Sequence, residues 1–112
     1  MMEILVLLAN GCEEVEALAV VDLLKRAEIS VCMASITGDK KIVGSHGITF
    51  WADHLLQDVL NKEYAGVFLP GGMPGAEKLG NDPNVLMLLR KMNQKELLIS
   101  AICAAPFVLE KA

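Results

Sequence analysis

The chain has no basic cluster, no CxxC pair, no Cys/His group at metal-ligand spacing and no apolar run of membrane length. Each absence closes a class of function. Ten Lys and Arg stand against fourteen Asp and Glu, a net charge of −4 with no basic stripe, so nucleic acid is not an expected partner. The three cysteines, Cys12, Cys32 and Cys103, are odd in number and widely spaced, which argues against a disulfide framework. They suit free thiols in a reducing cytoplasm, and without clustered ligands no metal is expected. Leu97–Leu109 carries no charge, but at about 13 residues it is short of the roughly 18 that a membrane span needs. The apolar run Ile4–Ala9 follows Glu3 rather than a Lys or Arg, so a buried strand is expected there and not a signal peptide. No GxGxxG follows that strand, which excludes a dinucleotide fingerprint. There is no repeat, linker or low-complexity segment, so residues 1–112 are expected to form one domain.

What is present is alternation. Just over half the residues are hydrophobic, 54%, enough for a real core. Glu3–Leu8 reads as a strand buried on both faces. Glu13–Ala27 reads as a helix: Ala17, Val20, Val21 and Leu24 form one stripe, Glu13, Glu14 and Glu16 lie in its first turn, and Lys25 and Arg26 in its last. Ile29–Ser35 is a second strand. Ile42-Val43 and Ile48–Trp51 flank Gly44-Ser45-His46-Gly47 as a hairpin. A short helix is expected at Leu55–Leu60, a strand at Gly66–Leu69, and a helix opened by Asp82-Pro83. Leu97–Ile102 reads as another buried strand, and Ala104–Ala112 as the start of a last helix. That helix has two turns and no C-cap glycine, so the domain is expected to be incomplete at its C-terminus, one part of a larger unit.

Strands alternating with helices imply a mostly parallel sheet covered on both faces, an α/β fold. Ligands of such sheets bind beyond the carboxyl ends of the strands. Three loops leave such ends: Ala9–Cys12, Pro70–Gly75 and Cys103–Ala105. Cys103 stands between a strand and a helix start, where free N–H groups favour a thiolate, although a buried inert thiol fits the spacing equally well. Pro70-Gly71-Gly72 lets backbone approach a ligand, and the Gly72 and Ala104 N–H groups together suit an oxyanion hole, although an ordinary turn fits the motif better on these residues alone. If the first helix starts beside the Cys103 turn, Glu16 points at the sulfur, where carboxyl and thiol would share a proton. Glu13 and Glu14 read as surface groups serving the helix dipole, His46 and His54 as exposed loop residues, and Trp51 as a packing residue.

Asn10-Gly11-Cys12-Glu13-Glu14-Val15-Glu16, Leu69-Pro70-Gly71-Gly72 and Ala101-Ile102-Cys103-Ala104-Ala105-Pro106 together resemble the ThiJ/PfpI family, in matching order and spacing. The resemblance covers the whole chain and the first three-fifths of a family member. It implies a flavodoxin-like, glutamine-amidotransferase-like three-layer sandwich. It implies that Cys103 is a nucleophile-elbow cysteine and that Glu16 is an acid hydrogen-bonded to its thiolate. Gly72 and Ala104 are backbone donors by the same resemblance, with Gly71 and Cys12 beside the substrate and Cys12 a second oxidisable thiol. The protease-like branch has a histidine directly after the cysteine. Ala104 stands there, which implies the ThiJ branch. The histidine that the family brings to the cysteine falls outside this chain.

The implied activity is glyoxalase or deglycase chemistry on reactive carbonyls such as methylglyoxal, with no cofactor. The alternative is a redox sensor or redox-regulated chaperone working through oxidation of Cys103. A thiazole monophosphate role is also attached to this branch, but no phosphate-binding loop supports it. A homodimer, or association with a missing C-terminal half, is the implied partnership.

Overall fold

This computed structural model describes residues 3–103 and 105–112. In chain order the elements are β1 (Glu3–Leu8), α1 (Glu14–Arg26), β2 (Val31–Ser35), β3 (Lys41–Val43), β4 (Thr49–Trp51) and β5 (His54–Leu55). Then come α2 (Leu56–Val59), β6 (Tyr64–Leu69), α3 (Gly75–Gly80), α4 (Pro83–Gln94), β7 (Leu98–Ala101) and α5 (Pro106–Lys111). Five strands form one parallel sheet in the order β5-β2-β1-β6-β7, and β3 and β4 form a separate antiparallel hairpin.

The apolar run of β1 serves two cores. Leu5 and Leu7 pack on one face with residues of α2, α3, α4 and α5. Val6 and Leu8 pack on the other with Ala17 and Val21 of α1 and Ile42 of the hairpin. Side chains alternate across a strand, so a strand covered on both faces must be apolar throughout. The result is the three-layer α/β sandwich expected from the sequence.

Three elements differ from that expectation. The edge strand β5 is two residues long and pairs only through Ala34–His54 and Ser35–Leu55, too short a ladder to leave a pattern. Helix α3 lies where the sequence pattern marks no element, because its ends are glycine and its apolar content is only Ala76 and Leu79. Strand β7 is half-exposed rather than buried, since β6 is its only partner among the described residues and Leu98 is 63% exposed.

The two long helices end alike. After α1, Glu28 N donates to Lys25 O at 3.0 Å and Ile29 N to Leu24 O at 2.9 Å. After α4, Glu96 N donates to Asn93 O at 3.0 Å and Leu97 N to Met92 O at 3.0 Å. Both are Schellman closures, which place one residue in the left-handed region. Those residues are Glu28 (φ 61°) and Glu96 (φ 57°), where glycine is the usual occupant. A left-handed L-residue costs roughly 1–2 kcal/mol. Glu28→Gly and Glu96→Gly should therefore each raise stability by about 1 kcal/mol, read as a higher urea midpoint at unchanged slope.

Candidate active site

Chain order sets the site. From β1 the chain crosses to β2 on one side and only later reaches β6 on the other. The reversal puts a switch point beyond the carboxyl ends of β1 and β6, the crevice position where such sheets bind ligands. The loops after β1, β6 and β7 all leave from that end.

Glu13 caps α1, its carboxylate accepting from Val15 N at 3.3 Å and Glu16 N at 3.0 Å. Its own N–H donates to Gly71 O at 2.8 Å. One turn on, Glu16 Oε1 accepts from Gly71 N at 2.9 Å. Gly71 is thus held on both its polar groups by the start of α1. A first side-chain carbon built on Gly71 would lie 2.5 Å from Glu16 Oε1 and 2.8 Å from Cys103 Cβ. The carboxyl and the cysteine therefore flank one point that only glycine leaves free. Gly72 (φ 95°) is equally confined: a side-chain carbon there would meet Glu13 N at 2.4 Å.

Cys103 itself is exposed and left-handed, φ 58°. The turn is fixed on either side, by Ile102 N to Leu69 O at 3.2 Å and Ala105 N to Ile102 O at 3.0 Å. A non-glycine residue held in this region at a strand-to-helix turn is a strained, over-determined position of the kind found at functional sites. Ala104 lies outside the described residues.

One expected role needs correcting. Cys12 is wholly buried in the core beneath α1, and burial, reinforced by the charge of Glu14, pushes its thiol up to about 11. A thiol so placed stays protonated at neutral pH and is a poor oxidation target or substrate contact. Its backbone matters instead, Cys12 O accepting from Ser45 N at 2.8 Å. Gly71, expected beside the substrate, spends its N–H on Glu16.

Glu14 is not a surface group. It is 3% exposed, and its oxygens accept from His46 N at 2.9 Å and Ile48 N at 3.1 Å. His46 Nδ1 lies 3.0 Å from Glu14 Oε1 and 3.5 Å from Glu13 Oε1. Burial alone would raise the Glu14 carboxyl, but the Ile48 N–H, the His46 ring and the His46 N–H outweigh it and hold it at about 2. The same carboxylate raises the His46 ring. Hydrogen bonds within the chain account for all three residues, and no ion is needed to explain them. His54 is exposed on β5. Sequence periodicity does not disclose the Glu14 contact, because its partners lie about thirty residues away. The one signal is a third carboxylate in a helix turn that needs one cap.

The DJ-1/PfpI family profile matches residues 2–112. The chain belongs to the DJ-1/PfpI family. It is 39% identical over 107 residues to protein dj-1beta of Drosophila melanogaster, covering 96% of this chain and 57% of that protein. It is 34% identical over 100 residues to the glutathione-independent glyoxalase DJR-1.2 of Caenorhabditis elegans, covering 89% and 53%. The crystal structure of Drosophila DJ-1beta superposes with a TM-score of 0.95 at 38% identity, over 99% of this chain and 60% of that one. Oxidised Toxoplasma gondii DJ-1 gives 0.94 at 36%, over 97% and 59%. The chain thus spans little more than half the length of these relatives, and the family named by the three motifs is the one found.

The Glu14 and His46 shifts have opposite consequences with pH. A carboxyl depressed on folding stabilises fully above its unfolded value of about 4.3, and that stability is lost as pH falls towards 2. A histidine raised on folding stabilises below about 6.5, and that is lost as pH rises through its folded value. Thermal midpoints of wild type minus Glu14→Gln should be largest in mild acid and shrink on both sides. A difference flat with pH would mean that Glu14 carries no charge in the fold.

Proposed function

We propose that this chain carries a cysteine-dependent site for reactive carbonyls, of glyoxalase or deglycase type, with methylglyoxal as the test substrate. The juxtaposition of Glu16 Oε1 and Cys103 across Gly71 is the observation that supports it. In this reading the Cys103 thiolate adds to the aldehyde carbon, a C–S bond forms, and the carbonyl electron pair moves to oxygen. Glu16 gives that oxygen its proton, then carries a proton from the former aldehyde carbon to the ketone carbon, and water cleaves the C–S bond of the resulting thioester to release the hydroxy acid and the thiol. The Gly72 N–H serves the developing oxyanion. The glyoxalase name of the C. elegans relative supports the substrate class.

The activity and partners of a whole protein of this family are part of the same proposal, since the chain spans just over half of its relatives. The expected partner is a second copy, and Val15, Ile48 and Trp51, which are 70%, 55% and 63% exposed, offer apolar surface on α1 and the hairpin for it. All three cysteines are free, which is compatible with the cytoplasmic location that this reading expects.

A second reading, a redox sensor, is favoured by one observation: Cys103 is exposed while Cys12 and Cys32 are buried. Dilute peroxide should then add two oxygens to Cys103 first, with no methylglyoxal turnover.

Iodoacetamide at mildly acidic pH should label Cys103 well before Cys12 and Cys32. Cys103→Ser should abolish methylglyoxal turnover, and Glu16→Gln should lower it by about 10²-fold. Equal, slow labelling of all three thiols, or turnover that survives Cys103→Ser, would remove the proposal.

A further inference from the structure

Glu14 serves neither the helix cap nor the acid position. Glu13 caps α1 and Glu16 binds Gly71, while Glu14 reaches out of the same turn into residues 44–48. A buried carboxylate is costly unless donors converge on it, and here they do. His46 N, Ile48 N and, at 3.4 Å, the Ser45 hydroxyl all point at its two oxygens. The turn is shaped to the carboxylate: a side-chain carbon on Gly44 would lie 2.2 Å from Glu14 Cδ.

The turn is in turn tied to the loop after β1. Gly11 N donates to Val43 O at 2.8 Å, Val43 N to Asn10 Oδ1 at 2.9 Å, and Ser45 N to Cys12 O at 2.8 Å. That loop carries Glu13, whose N–H holds Gly71 O, and Gly71 N holds Glu16. A continuous set of contacts therefore runs from Glu14 through the turn to Gly71 and on to Glu16 and Cys103. The charged groups facing the turn's own titratable member, His46, are Glu14 and Glu13.

We propose that Glu14 is a positioning residue for the Cys103–Glu16 site, acting through the 44–48 turn and the loop after β1. This rests on the cysteine-site reading above. Misplacing a reacting group by about 1 Å costs up to about 10²-fold in rate, so a clamp of this kind has leverage.

The test is the rate of Cys103 alkylation by iodoacetamide across pH, in wild type, Glu14→Gln, Gly44→Ala and Thr49→Ala. Glu14→Gln removes the charge, and Gly44→Ala fills the seat of the carboxylate while leaving its charge. Thr49→Ala, on the exposed face of the hairpin, is the control. Both clamp variants should lose about tenfold in rate and change the shape of the pH profile at temperatures where they remain folded, with Thr49→Ala unchanged. A purely structural role lowers the melting temperature and leaves the profile alone, and that outcome overturns the proposal. Should Glu14→Gln fail to fold, His46→Gln replaces it, because its ring is exposed: a displaced profile supports the clamp and a wild-type profile overturns it. A wild type whose Cys103 labels no faster than Cys32 fails the cysteine-site reading itself and takes the clamp with it.

Discussion

Everything at the candidate site depends on a place where a side chain cannot be. Gly71 lies between the Glu16 carboxyl and Cys103, gives its N–H to the first and leaves room for the second. Its carbonyl is held by the start of α1. One residue without a side chain thus fixes the relative position of two groups that are 87 residues apart in sequence. A methyl group there would force apart the elements that carry them, because backbone and a short carboxylate have little room to give.

The first turn of α1 divides its labour among three glutamates. Helix N-termini favour negative charge, but that preference does not distinguish Glu13 from Glu14 or Glu16. The packing does. Glu13 turns back to cap, Glu16 turns to the crevice, and Glu14 turns into the hairpin. Within four residues the helix is therefore capped on itself and fastened to two other parts of the chain, Gly71 and the 44–48 turn. A parallel sheet offers few such fastenings at its carboxyl end, where loops otherwise move freely.

Much of this was legible in the sequence. Uniformly apolar runs announced β1 and β6, the stripe Ala17–Leu24 announced α1, and Asp82-Pro83 announced α4, because those patterns follow directly from burial and capping. The candidate residues Cys103, Glu16, Gly71 and Gly72 were legible as types at strand ends. What periodicity cannot carry is contact between distant segments. The seat of Glu14 is built by Gly44, His46 and Ile48, each unremarkable in its own neighbourhood. Cys12 shows the converse: the family resemblance implied a thiol at the site, yet the chain turns it into the core. Strand β7 looked fully buried because its composition is apolar, and composition does not say how many neighbours a strand has.

The strand order has a consequence for biosynthesis. Glu16 comes from the second element of the chain and Cys103 from just before the last, while β1 cannot complete its pairing until β6 arrives. A ribosome delivers the N-terminal part first, as a strand–helix–strand unit with half its central strand unpaired. During that interval the carboxyl exists without its cysteine, and the cysteine, once made, has no partner until β7 lies beside β6. The approach of Glu16 and Cys103 across Gly71 is thus an event of late assembly. A nascent or misassembled chain would hold the same residues without the paired site.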